Sequence, residues 1–309
     1  MICLFANYNL MIKTTNISRS GVFLVFEYAE HDLASLIDNH YQQYKCSPFS
    51  QSEVKRLMIQ LLEAIRFMHS NYILHRDLKL SNLLYNNRGE LRVADFGLAR
   101  RVGGEYVGEC KGKRDSDDTE SSDCYLTPKV VSLWYRPPEL LLGSEYYDQG
   151  VDNWGAGCVF GELLRGKPLM DGRNEMEQLQ KMFDLLGPPN VDEWPSLNDL
   201  PILKQGQIEL PKRWHLQNSG KHLLDIFRNW DCPSGIKLLM GLLKYNPVMR
   251  LTAKEALSAD YFSTLVRGDV WALYLLKSYT ITCYLHSTTL SLACTNTVES
   301  NAYFPYKAQ

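Results

Sequence analysis

His75-Arg76-Asp77-Leu78-Lys79-Leu80-Ser81-Asn82 and Asp95-Phe96-Gly97 decide the fold of this 309-residue chain. The first string sets an acid, a cation and an amide at Asp77, Lys79 and Asn82, and eighteen residues after Asp77 stands a second acid, Asp95. Each residue alone has a bland reading, since an isolated Asp-Phe-Gly is usually a turn. Together they form the inventory that phosphoryl transfer needs. A carboxylate orients and accepts the proton of an attacking hydroxyl, Asn and Asp oxygens hold metal ions, and a cation offsets charge on the transferred group. Mg²⁺ favours hard oxygen ligands, which Asn82 and Asp95 carry.

Outward from these strings, Val22-Phe23-Leu24-Val25-Phe26-Glu27-Tyr28 is β-branched and aromatic and predicts a buried strand. Asp32 is placed to cap a short helix with Leu33, Leu36 and Ile37 on one face. Ser50-Gln51-Ser52-Glu53 is a capping box, opening a helix whose Val54, Leu57, Met58, Leu61, Leu62, Ile65 and Met68 recur at helical spacing. Short strands and turns follow to about residue 100. Asp152 to Leu164 is apolar on nearly every side and predicts a central, buried helix. Ile236, Leu239, Leu242 and Leu243 mark another amphipathic helix.

Whole-chain composition is ordinary: 45% apolar, 22% charged, net charge -2. That excludes a disordered, collagenous or multi-span membrane protein, and gives no reason to expect nucleic acid or a membrane surface as partner. Eight cysteines without a Cys-x-x-Cys pair read as reduced thiols rather than a disulfide framework or zinc site. The N-terminal stretch lacks the basic start and apolar core of a signal peptide, so Asn16-Ile17-Ser18 is a chance glycosylation match. Cytosol or nucleus is the expected compartment.

Two segments follow other rules. Residues 103–124 carry seven acids against three bases and read as a solvated insert. The tail 263–309 has five charged residues and twelve Ser or Thr, with no clear period. Arg267, Asp269 and Lys277 interrupt its apolar stretch and argue against a spanning helix.

The two opening strings resemble those of the protein kinases. The resemblance runs over 22–262, leaving 1–21 as an unmatched remnant, 103–124 as an activation-loop insert and 263–309 as a tail. It implies an α+β, protein-kinase-like fold, mostly the helical C-terminal lobe with a remnant of the N-terminal β lobe. It implies ATP and Mg²⁺ as cofactors, Asp77 as catalytic base, Lys79 beside the γ-phosphate, and Asn82 and Asp95 as metal ligands. Glu27 and Ala29 would meet adenine at the hinge, with Phe26 as gatekeeper and Leu84 beneath the ring. Glu139 would pair with Arg250, in a Pro-Glu context where Pro137 replaces the family's Ala, and Asp152 is expected in a structural role. Lys79 points to Ser/Thr rather than Tyr kinases.

Thr127-Pro128-Lys129-Val130-Val131-Ser132-Leu133-Trp134-Tyr135-Arg136 resembles the activation segment of the cyclin-dependent kinases. Gly187-Pro188-Pro189 with Trp194-Pro195 resembles that group's extra segment, and Asp32-Leu33-Ala34-Ser35-Leu36 together with Thr127-Pro128-Lys129-Val130-Val131 resembles its kinase 10 branch, with the kinase 11 branch as neighbour. The resemblance implies phosphorylation at Thr127, its phosphate held by Arg76 and Arg100. Ser132 would tie Asp77 to Lys79, and Val130, Val131 and Arg136 would form the pocket for a proline after the target Ser or Thr. Protein substrates with Ser/Thr-Pro sites, a cyclin, and a role in cell-cycle or transcription control are the implied partners and setting. No Gly-rich loop, Val-Ala-Ile-Lys strand or partner Glu stands in the 21 residues before Val22. The Lys–Glu pair that aligns the phosphates and the helix that docks cyclin are therefore expected to be missing. The competing expectation is a non-catalytic kinase-lobe interaction protein, or a truncated gene model.

Overall fold

The computed structural model describes residues 28–102, 131–207 and 221–263. The predicted strand 22–28 lies outside them except for Tyr28, as do the acidic insert and all of the tail but Ser263.

The first described elements are a two-residue strand, β1 (His31–Asp32), and the helix it feeds, α1 (Leu33–Tyr44). Asp32 ends the strand and caps the helix, its carboxylate accepting from the Ser35 N–H at 2.8 Å. The helix runs twelve residues, longer than the short helix expected, and buries Leu33 and Ile37. Ser50 and Glu53 form the predicted capping box of α2 (Gln51–Ser70), each side chain satisfying the other's backbone N–H. Along α2 the residues from Val54 to Met68 at helical spacing are buried, and the helix packs against α4 and α9, described below.

Short strands carry the His75–Asn82 and Asp95–Gly97 strings. β2 (Ile73–Leu74) pairs antiparallel with β5 (Arg100–Arg101), while β3 (Leu83–Tyr85) lies between β1 and β4 (Leu91–Val93). The His75–Asn82 string leaves β2 and enters β3, and Asp95-Phe96-Gly97 leaves β4 and leads to β5. The two strand pairs thus bring both strings to one end of the lobe. Leu84 faces Asp32 across the β1–β3 pair and Arg92 across β3–β4.

Helices form the rest: α3 (Pro138–Leu141), α4 (Gly150–Arg165), α5 (Glu175–Leu186), α6 (Pro201–Lys204), α7 (Lys221–Ile226), α8 (Pro233–Leu242) and α9 (Ala253–Leu257). Every residue of α4 from Gly150 to Leu163 is buried, as a pattern apolar on nearly every side predicts. Close approach is possible because glycines line it: a methyl at Gly161 would collide with the Leu169 side chain. Gly166 ends the helix at φ +79°, the left-handed conformation that glycine adopts without steric cost. Among the described residues no helix is long and apolar enough to cross a membrane.

Candidate active site

Asp77 is the centre of the site. One carboxylate oxygen, Oδ1, accepts from the Ser132 N–H at 2.9 Å and the Ser132 hydroxyl at 2.8 Å. The other, Oδ2, accepts from Lys79 Nζ at 2.7 Å and Asn82 Nδ2 at 3.2 Å. Lys79 also donates to Ser132 Oγ at 3.0 Å, and Asn82 Nδ2 to the Asp77 carbonyl at 2.8 Å. Burial opposes charge on Asp77, but the Lys79 and Ser132 hydrogen bonds outweigh it and hold the carboxyl below its ordinary range. An ionised carboxylate with both oxygens fixed is a directed proton acceptor.

The loop that presents Asp77 is held from behind by Asp152 in the first turn of α4. Its carboxylate accepts from the backbone N–H groups of His75 (2.9 Å) and Arg76 (2.8 Å), and from the His69 ring at 2.9 Å. Arg76 has a left-handed backbone, φ +65°, which costs a non-glycine residue about 1–3 kcal/mol and persists only where neighbours over-determine it. Asp152 is that constraint. His75 is fully buried; its Nδ1 accepts from the Asp77 N–H at 3.3 Å, so Nε2 carries the proton and donates to the Ala94 carbonyl at 3.0 Å. His75 thereby ties the first string to the residue just before Asp95.

Asp95 itself is exposed, with φ +60°, and caps the 3-10 turn Phe96–Leu98 through the Gly97 N–H. Ala94 N–H bonds the Asn82 carbonyl at 2.8 Å, so Asn82 and Asp95 stand on adjoining backbone. The Asn82 amide nitrogen is committed to Asp77, which directs its side-chain oxygen away from that carboxylate. An amide oxygen and an exposed carboxylate are hard-oxygen donors of the kind that suits Mg²⁺.

The predicted phosphate-binding residues adjoin this centre. Arg76 is buried, donating from Nε to the Leu98 carbonyl (2.7 Å) and from Nη1 to the Tyr147 hydroxyl (2.8 Å). Arg100 lies in β5 opposite Leu74, two residues before Arg76. On the other side Val131 is buried with φ +71°, and its carbonyl accepts from Arg136 Nε (3.2 Å) and Nη2 (3.0 Å). Ala29 and Leu84 are half-buried around β1 and β3. Phe26, Glu27, Thr127 and Val130 lie outside the described residues.

Below the site, Glu139 and Arg250 form a bidentate pair, both bonds 2.9 Å and both residues buried. Arg250 also donates to the carbonyls of Lys244, Tyr245 and Gly150, and its guanidinium lies 5.1 Å from the Trp154 ring centre. Four residues of the site were not singled out in the sequence, the first being Tyr147, whose hydroxyl accepts from Arg76 Nη1. His69, in the last turn of α2, completes the Asp152 cluster. Glu162 in α4 accepts from the Tyr135 hydroxyl at 2.6 Å. Glu175 accepts from Arg136 Nη1 at 2.7 Å. The one sequence signal among them is an acid, Glu162, inside a helix apolar on nearly every side.

Comparison with known proteins places the chain in a family. The protein kinase domain model matches residues 8–262. Probable cyclin-dependent kinase 10 of Dictyostelium discoideum is 43% identical over 241 residues, covering 78% of this chain and 58% of the relative. Cyclin-dependent kinase G-2 of Oryza sativa subsp. indica is 41% identical over 251 residues, covering 79% and 31%. Cyclin-dependent kinase C-2 of Arabidopsis thaliana is 38% identical over 246 residues, covering 80% and 42%. The chain therefore spans about a third to just over half the length of these curated relatives. Among solved structures, the yeast RNA Pol II CTD kinase CTDK-1 complex has a chain similar at a TM-score of 0.66 and 35% identity, over 81% of this chain and 73% of that one. With its Asp77 centre and these likenesses, the chain belongs to the protein kinase family, and its curated relatives are cyclin-dependent kinases.

Proposed function

We propose that the chain carries the catalytic lobe of a Ser/Thr protein kinase of the cyclin-dependent class, acting on Ser or Thr followed by Pro. The carrying observation is the Asp77 carboxylate, fixed by Lys79, Ser132 and Asn82 and held ionised. In this reading Asp77 orients the substrate hydroxyl and takes its proton as the hydroxyl oxygen attacks. Lys79 stays within reach of both Asp77 and the incoming phosphoryl charge, and Ser132 keeps the two in register. Asn82 and Asp95 would hold Mg²⁺, with Ala29 and Leu84, and Phe26 and Glu27 beyond the described residues, toward the adenine. Bound Mg-ATP would supply the γ-phosphoryl group and neutralise its charge.

Proline selection follows from Val131. Its carbonyl is already engaged by two Arg136 donors. A residue after the target Ser or Thr that carries an N–H would find no acceptor there, and an unsatisfied buried donor is costly. Proline has no N–H to satisfy. Arg76 and Arg100 would receive a phosphate on Thr127, guanidinium forks matching phosphate oxygens. A cyclin is the proposed partner, by likeness to relatives named for that dependence, with cell-cycle or transcription control in nucleus or cytoplasm as the setting.

The test is phosphate transfer from Mg-ATP to a Ser-Pro peptide by the purified chain. Transfer abolished by Asp77→Asn supports the assignment. No transfer, or transfer that survives Asp77→Asn, overturns it and leaves the non-catalytic interaction protein as the better reading.

A further inference from the structure

We infer that Glu175 is a positioning residue for substrate choice, acting through Arg136 on the Val131 carbonyl; the inference rests on the proline-directed reading above. Arg136 commits all three guanidinium nitrogens. Nε and Nη2 lie 3.2 and 3.0 Å from the Val131 carbonyl, and Nη1 lies 2.7 Å from Glu175 Oε1. A guanidinium is a rigid planar fork, so fixing one nitrogen aims the other two.

Glu175 is well placed for this. It opens α5 directly after the cap Asn174, which accepts from the Glu177 N–H at 3.0 Å and sets the first turn. A carboxylate there is favoured by the partial positive charge of the helix N-terminus. Neighbouring acids are committed elsewhere: Glu177 accepts from the Arg173 N–H at 3.0 Å and lies 3.4 Å from Lys181, and Asp171 pairs with Lys181 at 2.6 Å.

Glu175 is 48% exposed, so the pair adds little to the stability of the fold. Its effect is directional. A β-branched residue occupies φ +71° only under constraint. Without Glu175 the Arg136 fork swings, the Val131 carbonyl loses its two donors, and the backbone is released toward the extended region. The carbonyl then faces the substrate and accepts the N–H of any residue after the target. Discrimination is lost by a gain for peptides lacking proline, rather than by a loss for those that have it.

The experiment is fluorescence anisotropy of the full chain and its Glu175→Ala and Glu175→Gln variants with two labelled peptides, Ser-Pro and Ser-Ala in otherwise identical sequence. The unmodified chain should prefer Ser-Pro. Glu175→Ala should cut that preference about fivefold, the worth of one net hydrogen bond, mainly through tighter Ser-Ala binding. Glu175→Gln keeps an acceptor oxygen and should retain most of the preference. Equal weakening of both peptides, or an unchanged ratio in Glu175→Ala, overturns the inference while leaving the proline-directed reading intact. An unmodified chain that binds both peptides alike overturns that reading, and the inference with it.

Discussion

Asp152 and Glu162 sit on one helix, α4, at 1% and 6% exposure, and behave in opposite ways. Asp152 receives three donors, the N–H groups of His75 and Arg76 and the His69 ring. Burial works to raise its pKa, but these bonds prevail and the carboxyl is held below its ordinary range. Glu162, in the last turn, is reached by the Tyr135 hydroxyl. There burial dominates, the Asp38 charge adds to it, and the carboxyl is pushed up to about 7 against the opposing Tyr135 bond. Depth alone does not set charge inside a protein; the number and kind of donors do. The first acid spends its charge on the backbone N–H groups of His75 and Arg76. The second holds the Tyr135 hydroxyl with a group poised between neutral and ionised.

The severest test of that contrast uses a third buried acid, Glu139, whose partner carries a formal charge. Arg250→Met leaves Glu139 without its two guanidinium bonds, and urea unfolding should show a loss of about 3–5 kcal/mol. A loss under about 1 kcal/mol would mean that the packing around Glu139 tolerates the carboxyl without its charged partner. Asp152→Asn comes next. The amide keeps one acceptor oxygen but turns an NH₂ toward groups that are themselves donors, so a loss of about 2–4 kcal/mol is expected, together with loss of phosphate transfer. The pH dependence fixes the cause. A depressed folded pKa gives stability that is present above the unfolded value of about 4 and lost as pH falls through the folded one. The gap between unmodified chain and variant should therefore hold down to about pH 4 and close only below it. Closure already near pH 6 would show that Asp152 is not kept ionised.

Sequence separation explains what was legible. Lys79 and Asn82 lie two and five residues from Asp77, so the heart of the site is one short string. Helix α2 announces itself by period and capping box, and α4 by apolar residues on nearly every side. The strands β1, β2 and β5 are two residues each, too short for any period, and exist because a partner strand meets them. Ser132 is 55 residues from Asp77 and was reachable only through resemblance to a family. The Tyr135–Glu162 and Arg136–Glu175 contacts span 27 and 39 residues. An acid in an apolar helix shows that some donor must reach it, but which hydroxyl does so is settled by packing that no local pattern encodes.

Glu162 offers the mildest and most discriminating measurement. Its folded pKa is raised, so the stability it lends is full below the unfolded value of about 4.3 and is lost as pH rises through about 7. Glu162→Gln is neutral throughout and can still accept the Tyr135 hydroxyl bond. Relative to the unmodified chain, the variant should gain about 2–3 kcal/mol between pH 5 and pH 8, read as the difference of two unfolding curves at each pH. Tyr135→Phe acts in the opposite sense on the same group. It removes the donor that lowers the carboxyl pKa, so the midpoint of the pH-dependent loss should move further up. A Glu162→Gln difference flat with pH would break the contrast, because Glu162 would then hold its charge as firmly as Asp152 does. A slope that Tyr135→Phe displaces upward would place the distinction between the two acids in their donors, since both are buried on the same helix.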